Sequence, residues 1–202
     1  MRTAFRPAGA AALAALLLQS SLPPAALAAA PERPLTAILL VARARLPDPN
    51  FADSVVLVMN NLGPAPVGVI INRPTPVSVA QLFPDLKSLA RLHDKVYFGG
   101  PIDMGSVWYL VRANAPPRHA IRTCQGVYLS ADRELLLELL RREKPMEGLR
   151  IFVGHAGWAP GQLESEIGQK DWTLEHAAPA AIFGGKPDAP WPTPPSPAAP
   201  QS

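Results

Sequence analysis

What marks a stapled, metal-bound or recognisably catalytic protein is missing from this chain of 202 residues. Cys124 is its one cysteine, so no intramolecular disulfide can form. Stability must come from a buried core, which a hydrophobic content of 48% supports. The four histidines, His93, His119, His155 and His176, show neither H-x-H nor H-x-x-x-H spacing, and no metal or other cofactor is expected. The G-x-S-x-G elbow, the Walker A loop and the dinucleotide-binding G-x-G-x-x-G are all absent, so no catalytic residue can be named from motifs. Charge of one sign is scarce too. The formal net charge of +3 includes Arg2 and Arg6, and without them 17 basic side chains face 16 acidic ones. The basic residues are scattered, Arg43 and Arg45 near Asp48 and Asp53, Arg141, Arg142 and Lys144 beside Glu138 and Glu143 at an expected helix end. That is a poor footprint for a nucleic-acid surface. The apolar run from Ala8 to Leu18 is too short to span a bilayer.

The two ends separate from the middle by composition. Residues 1–28 carry Arg2 and Arg6, then that apolar run, then Ala26-Leu27-Ala28, the small-x-small pattern of a signal-peptidase site. This predicts a cleaved secretory signal peptide rather than an uncleaved anchor, and a periplasmic or secreted mature chain. Residues 186–202 hold seven prolines, from Pro187 to Pro200, and are expected to form an extended, disordered tail. One domain over about 35–183 remains.

Within it, Thr36–Ala42 and Ser54–Met59 are continuous apolar runs that predict buried strands. Turn chemistry at Asn60–Pro64 leads into a strand at Val67–Asn72, which suggests a hairpin. Val77–Leu92 reads as one or two short helical pieces interrupted at Pro84. Val96–Phe98 is a short strand stopping at Gly99-Gly100-Pro101. Ser106–Arg112 alternates as a half-exposed strand, with Val107, Tyr109 and Val111 on one side and Trp108 and Leu110 on the other. After a break at Asn114–Pro117, His119–Leu129 holds one or two strands, with Cys124 packed as a small apolar residue. Ser130 is the expected N-cap of a helix to Lys144 whose inner face is Leu135, Leu136, Leu139 and Leu140. Leu149–Val153 is the expected central buried strand. A helix over Gly161–Gln169 packs through Leu163 and Ile167, and Asp171–Glu175 is the last strand. Many strands with few helices and no regular alternation indicate an α+β domain.

The densest stretch is Gly154-His155-Ala156-Gly157-Trp158-Ala159-Pro160-Gly161-Gln162-Leu163-Glu164-Ser165-Glu166-Ile167, closing on Asp171-Trp172. It reads as a strand ending in a glycine-rich turn that opens a helix, with Pro160 in its first positions. Such a turn either cradles an anion or packs as a tight corner under Trp158. Together with Leu46-Pro47-Asp48-Pro49-Asn50-Phe51-Ala52-Asp53-Ser54-Val55-Val56, Gly68-Val69-Ile70-Ile71-Asn72-Arg73-Pro74 and Val96-Tyr97-Phe98-Gly99-Gly100-Pro101-Ile102, it resembles the YqgE/AlgH family, also known as UPF0301. The resemblance runs from about Leu35 to Phe183. It implies a mixed, strongly curved sheet flanked by a few short helices, and it implies no settled activity, although some members are labelled transcriptional regulators. This chain departs from that pattern in its signal peptide, its proline-rich end, and His155, where the family often has a tyrosine.

Each motif falls at the end of a predicted strand, where loops can converge on a pocket. The tentative ligand-binding residues are Asn72, Arg73, Gly99, Gly100, Pro101, Gly157, Trp158, Gly161, Gln162 and Glu166. Arg73 offers a bidentate fork, the glycine turn offers backbone donors, and Gln162 and Glu166 lie one helical turn apart. Together they fit a small anionic ligand. The alternative is that Asn72 and Arg73 stitch a loop to the Asp48-Pro49 turn, with Asp48 or Asp53 pairing Arg73. Glu164 and Glu166 point about 200° apart on a helix and cannot serve one site together. The expected function is a non-catalytic binding or regulatory module of the cell envelope, its partner a small anionic ligand or an envelope protein. An enzyme acting on a small anionic substrate is one alternative; a transcriptional regulator retained in the cytosol is another. Nucleic acid is not an expected partner after export.

Overall fold

A run of apolar residues becomes a strand covered on both faces when two layers compete for it, and this is what the two leading runs do. The computed structural model describes residues 37–44, 46–59 and 65–184, and the expected signal peptide, the Asn60–Pro64 turn and the proline-rich tail lie outside them. Strands β1 (Ala37–Ala42) and β2 (Val55–Met59) pair antiparallel, with Leu39 opposite Leu57 and Leu40 opposite Val56. Leu39, Val55, Leu57 and Met59 join one buried cluster, whereas Leu40, Val56 and Val58 join another on the opposite face. The expected hairpin follows, β2 pairing antiparallel with β3 (Val67–Ile70).

Next come β4 (Pro74–Ser78), α1 (Val79–Leu82), β5 (Lys95–Phe98), β6 (Ile102–Arg112), β7 (Ile121–Cys124), β8 (Val127–Ser130), α2 (Arg133–Leu140), β9 (Leu149–Gly157), α3 (Gln162–Gly168), β10 (Trp172–His176) and α4 (Pro179–Phe183). The strands lie in the order β10-β1-β2-β3-β9-β6-β8-β7, with β5 beside β9 and β4 beside β5. The pairs are antiparallel except β5 with β9, so the sheet is mixed. It curls into a half-barrel, and with the four short α-helices of the described residues it is the α+β, single-domain fold anticipated. The inner face is one continuous cluster, running from Leu39 and Leu57 through Tyr97, Phe152 and Leu110 to Cys124 and Leu129, closed by Ile182 of α4. The outer face divides. The α2 leucines Leu135, Leu136, Leu139 and Leu140 cover Tyr109, Val111 and Ile151, and α3 with the one-turn 3-10 helix Pro49–Phe51 covers Val56, Ile70 and Ala156.

Several expectations need correction. β4 was not among the expected strands, and Val77 and Ser78 fall in it rather than in the helical piece expected from Val77; its prolines are compatible with a strand that has a free edge. β6 begins at Ile102, and its later half is buried rather than half-exposed, with Tyr109, Leu110 and Val111 all inaccessible. The two faces expected for it hold, since Tyr109 and Val111 pack outward and Leu110 inward. The N-cap of α2 is Asp132, whose carboxylate accepts from Leu135 N; Ser130 Oγ instead accepts from Asp132 N and donates to the His119 carbonyl. That helix stops at Leu140, short of Lys144.

β9 ends inside the glycine run, as expected, but later than Val153. It continues to Gly157, and Gly154, at φ 68°, resets its alternation. Before Gly154 the odd positions Leu149 and Ile151 face outward and Phe152 inward; after it Ala156 and Trp158 face outward. The turn proper is Trp158–Gly161, and Pro160 precedes the helix because Gly161, at φ 79°, is its N-cap.

Candidate functional site

All four motif segments assemble around the short helix Pro49–Phe51. From one side, Asn72 Oδ1 accepts from Val55 N at 2.8 Å and its Nδ2 donates to the Asp53 carbonyl at 2.9 Å. Arg73 Nη1 and Nη2 donate to the carbonyls of Asn50 (2.6 Å) and Ala52 (2.8 Å), and its guanidinium lies 5.6 Å from the centre of the Phe98 ring. Asn72 and Arg73 thus stitch the loop to the Asp48-Pro49 turn. Apart from the Val55 N–H, their partners are the loop's carbonyls, not the carboxylates of Asp48 or Asp53.

From the other side, Phe51 stacks on Trp158 and meets Trp172 edge-on, both at 5.8 Å between centroids. Each indole would bury an N–H without an acceptor. Glu166 prevents that: its Oε2 accepts from Trp158 Nε1 (2.9 Å) and Trp172 Nε1 (2.8 Å), and its Oε1 accepts from Gln162 Nε2 (2.8 Å). Gln162 Oε1 in turn accepts from Ala159 N. One carboxylate on α3 thereby ties together the end of β9, the helix and β10. Trp158 is buried, whereas Gly161 and Gln162 are exposed.

Gly99, Gly100 and Gly154 do a different job. Gly99 N donates to the Val153 carbonyl at 2.9 Å, and the Gly99 carbonyl accepts from Ile70 N at 2.8 Å, so this residue fills the gap between β3 and β9. A Cβ on Gly99 would collide with the Gly154 carbonyl, one on Gly100 with His155, and one on Gly154 with the Gly100 carbonyl. Here backbone approaches backbone too closely for any side chain. Gly157 lies farther along, at the β3 pairing, near the side chain of exposed Ile102. Pro101 is exposed just before β6.

The structure thus gathers Asn72 and Arg73 on one flank of the Asn50–Ala52 segment and Trp158, Gln162 and Glu166 on the other, with Gly99 and Gly100 in the sheet behind. A groove of ≈ 590 Å³ opens elsewhere, lined by Arg112, Asn114, Arg142, Glu143, Lys144 and Glu147 among others. Among the described residues no group of His, Cys, Asp and Glu is arranged to hold a metal ion.

Of two further placements, that of Arg150 lay outside the sequence reading, whereas His155 is the packed residue expected there. His155 packs against Trp108 on the inner face, 5.3 Å between ring centres, with Nδ1 buried and without a partner. Arg150 stands in the middle of the buried run Leu149–Val153, and that position was the signal: a cation inside an apolar strand. Its Nη1 donates to the Ile71 carbonyl at 3.0 Å, and it lies 4.6 Å from the centre of the Tyr97 ring. Cys124 is buried in the inner cluster, where desolvation raises its thiol above the ordinary value; contacts with Thr123 and Arg112 oppose this more weakly.

Comparison with known proteins places this geometry. The family described as AlgH-like, DUF179, matches residues 39–194. A UPF0301 protein of Streptomyces coelicolor is 37% identical over 163 residues, covering 78% of this chain and 83% of its own length. One from Streptomyces avermitilis is 36% identical over 164 residues, with the same coverage. Among solved structures, the solution structure of the AlgH protein from Pseudomonas aeruginosa superposes with a TM-score of 0.62 at 28% identity, covering 80% of this chain and 85% of that one. A crystal structure from Corynebacterium diphtheriae gives 0.57 at 29% identity, covering 74% and 80%.

Proposed function

Because the chain belongs to the AlgH-like family of UPF0301 proteins, whose names state no reaction, we propose that it is a non-catalytic binding or regulatory module of the cell envelope. The observation that carries this reading is where the polar motif side chains end. Glu166 accepts from two indoles and an amide, Arg73 spends both terminal nitrogens on carbonyls, and Asn72 closes the same loop. A general acid or base has to reach a substrate proton, and these groups are turned to the chain itself.

In this reading the ligand, a small anion or a segment of an envelope protein, meets the rim around the Asn50–Ala52 segment, through the N–H groups Arg73 keeps beyond its two carbonyl bonds on one flank and Gly161 and Gln162 on the other. Asn72, Gly99, Gly100, Gly157, Trp158 and Glu166 hold that rim in shape. Residues 1–28 supply the export signal, and nucleic acid is then no partner. No helix among the described residues is long and apolar enough to cross a membrane.

Native mass spectrometry of the protein from a periplasmic extract, before and after denaturation, tests both halves. The expected result is a chain shortened by about 28 residues with an adduct that is lost on denaturation and on Arg73→Ala. An unprocessed, adduct-free chain overturns export and ligand together.

A further inference from the structure

Arg150 places a charge on the inner face of the half-barrel with no carboxylate among the described residues to balance it. It precedes Gly154 at an even position of β9, on the side of Phe152, and its cross-strand neighbour on β6 is the buried Leu110. Two contacts fix the guanidinium plane: the Ile71 carbonyl on Nη1 and the Tyr97 ring. No carboxylate among the described residues pairs with it. Burial disfavours its charged form, with Tyr97 giving some relief.

The two atoms left over are informative. A guanidinium has five N–H donors in a fixed fork, and the edge formed by Nε and Nη2 matches a carboxylate or phosphate bidentately. With Nη1 engaged, that edge is the one without an acceptor among the described residues. Nor is the residue sealed, since Arg150 is only partly buried. Arg112, two residues beyond Leu110 on the same face of β6, adds a second cation with no ion pair among the described residues, held over the Phe183 ring at 5.2 Å with Nη2 donating to the Pro179 carbonyl at 3.5 Å. The ≈ 590 Å³ groove, which Arg112 also lines, mixes Glu143 and Glu147 with its cations.

We propose that Arg150 anchors a binding site for one carboxylate or phosphate group, taken side-on by Nε–H and Nη2–H. The plane is set in advance by the Tyr97 ring and the Ile71 carbonyl, so little ordering remains for the ligand to impose. This site is separate from the Arg73 rim, and neither reading requires the other.

The test is a titration of the full chain, labelled with 15N-arginine, following the Arg150 Nε–H resonance. Inorganic phosphate and acetate are added separately at constant ionic strength, with chloride as control. A saturating shift with phosphate, acetate or both is expected, and which anion saturates identifies the chemistry. Arg150→Lys keeps the charge and stem but not the fork, and should weaken binding about tenfold or more, read at the Tyr97 and Phe152 amides. A shift that never saturates, that chloride reproduces, or that matches exposed Arg141 overturns the site. So does undiminished binding by a folded Arg150→Lys. If that variant does not fold, the wild-type titration decides alone.

Discussion

Glu166 shows how one side chain can settle a whole corner. Its two oxygens satisfy two indole N–H groups and an amide, and both indoles are buried with Phe51. Truncation would leave those donors without an acceptor in a desolvated place, so Glu166→Ala should cost about 2–4 kcal/mol in urea unfolding. A loss under about 0.5 kcal/mol would mean that water replaces the carboxylate. The sequence made Glu166 visible as a helix-face partner of Gln162, but not its role. Indoles fourteen residues apart meet one carboxylate only after β9, α3 and β10 have folded together, and local spacing carries no record of that. For Arg73 the sequence left open a ligand fork or a stitch to the Asp48-Pro49 turn; its bonds run to the carbonyls of Asn50 and Ala52, and carbonyls are present at every residue and therefore leave no mark in a sequence.

At the scale of elements, legibility followed burial. β1 and β2 were plain because both faces are covered, and the α2 leucines because one face is. β4 was hidden by its prolines and the start of β6 by exposed residues 101–105. The glycines of β9 were legible as special and misread as a turn. Gly154 and Gly161 both sit at positive φ, yet only Gly154 faces backbone that a Cβ would strike, and nothing lies within 4 Å of one on Gly161. Gly161→Ala should therefore cost only the strain of a left-handed residue, about 1–2 kcal/mol. Gly154→Ala adds a backbone collision at the junction of β9 with the Gly99-Gly100 turn, and should lose several times as much or fail to fold. Paired urea melts check this, and equal losses would show that the sheet yields at Gly154.

For the molecule as a whole, stability should fall on the alkaline side. Desolvation raises the Cys124 thiol above its ordinary 9.0 and the Tyr109 phenol above its ordinary 10.0, so folding favours both protonated forms. The unfolded chain releases those protons at the ordinary values and the folded one later. The stabilising effect is therefore whole below about pH 9 and is lost as pH rises through the interval between the unfolded and folded values. Urea midpoints from pH 7 to 11 should decline above pH 9, and Tyr109→Phe should flatten the upper part of that decline; an unchanged slope would remove Tyr109 as a cause. The pairing of the first strand with the last, Ile38 opposite His176, has another consequence. A ribosome must deliver nearly the entire domain before β1 gains its outer neighbour. Until then the sheet stays open along that edge of β1, so its completion waits for β10.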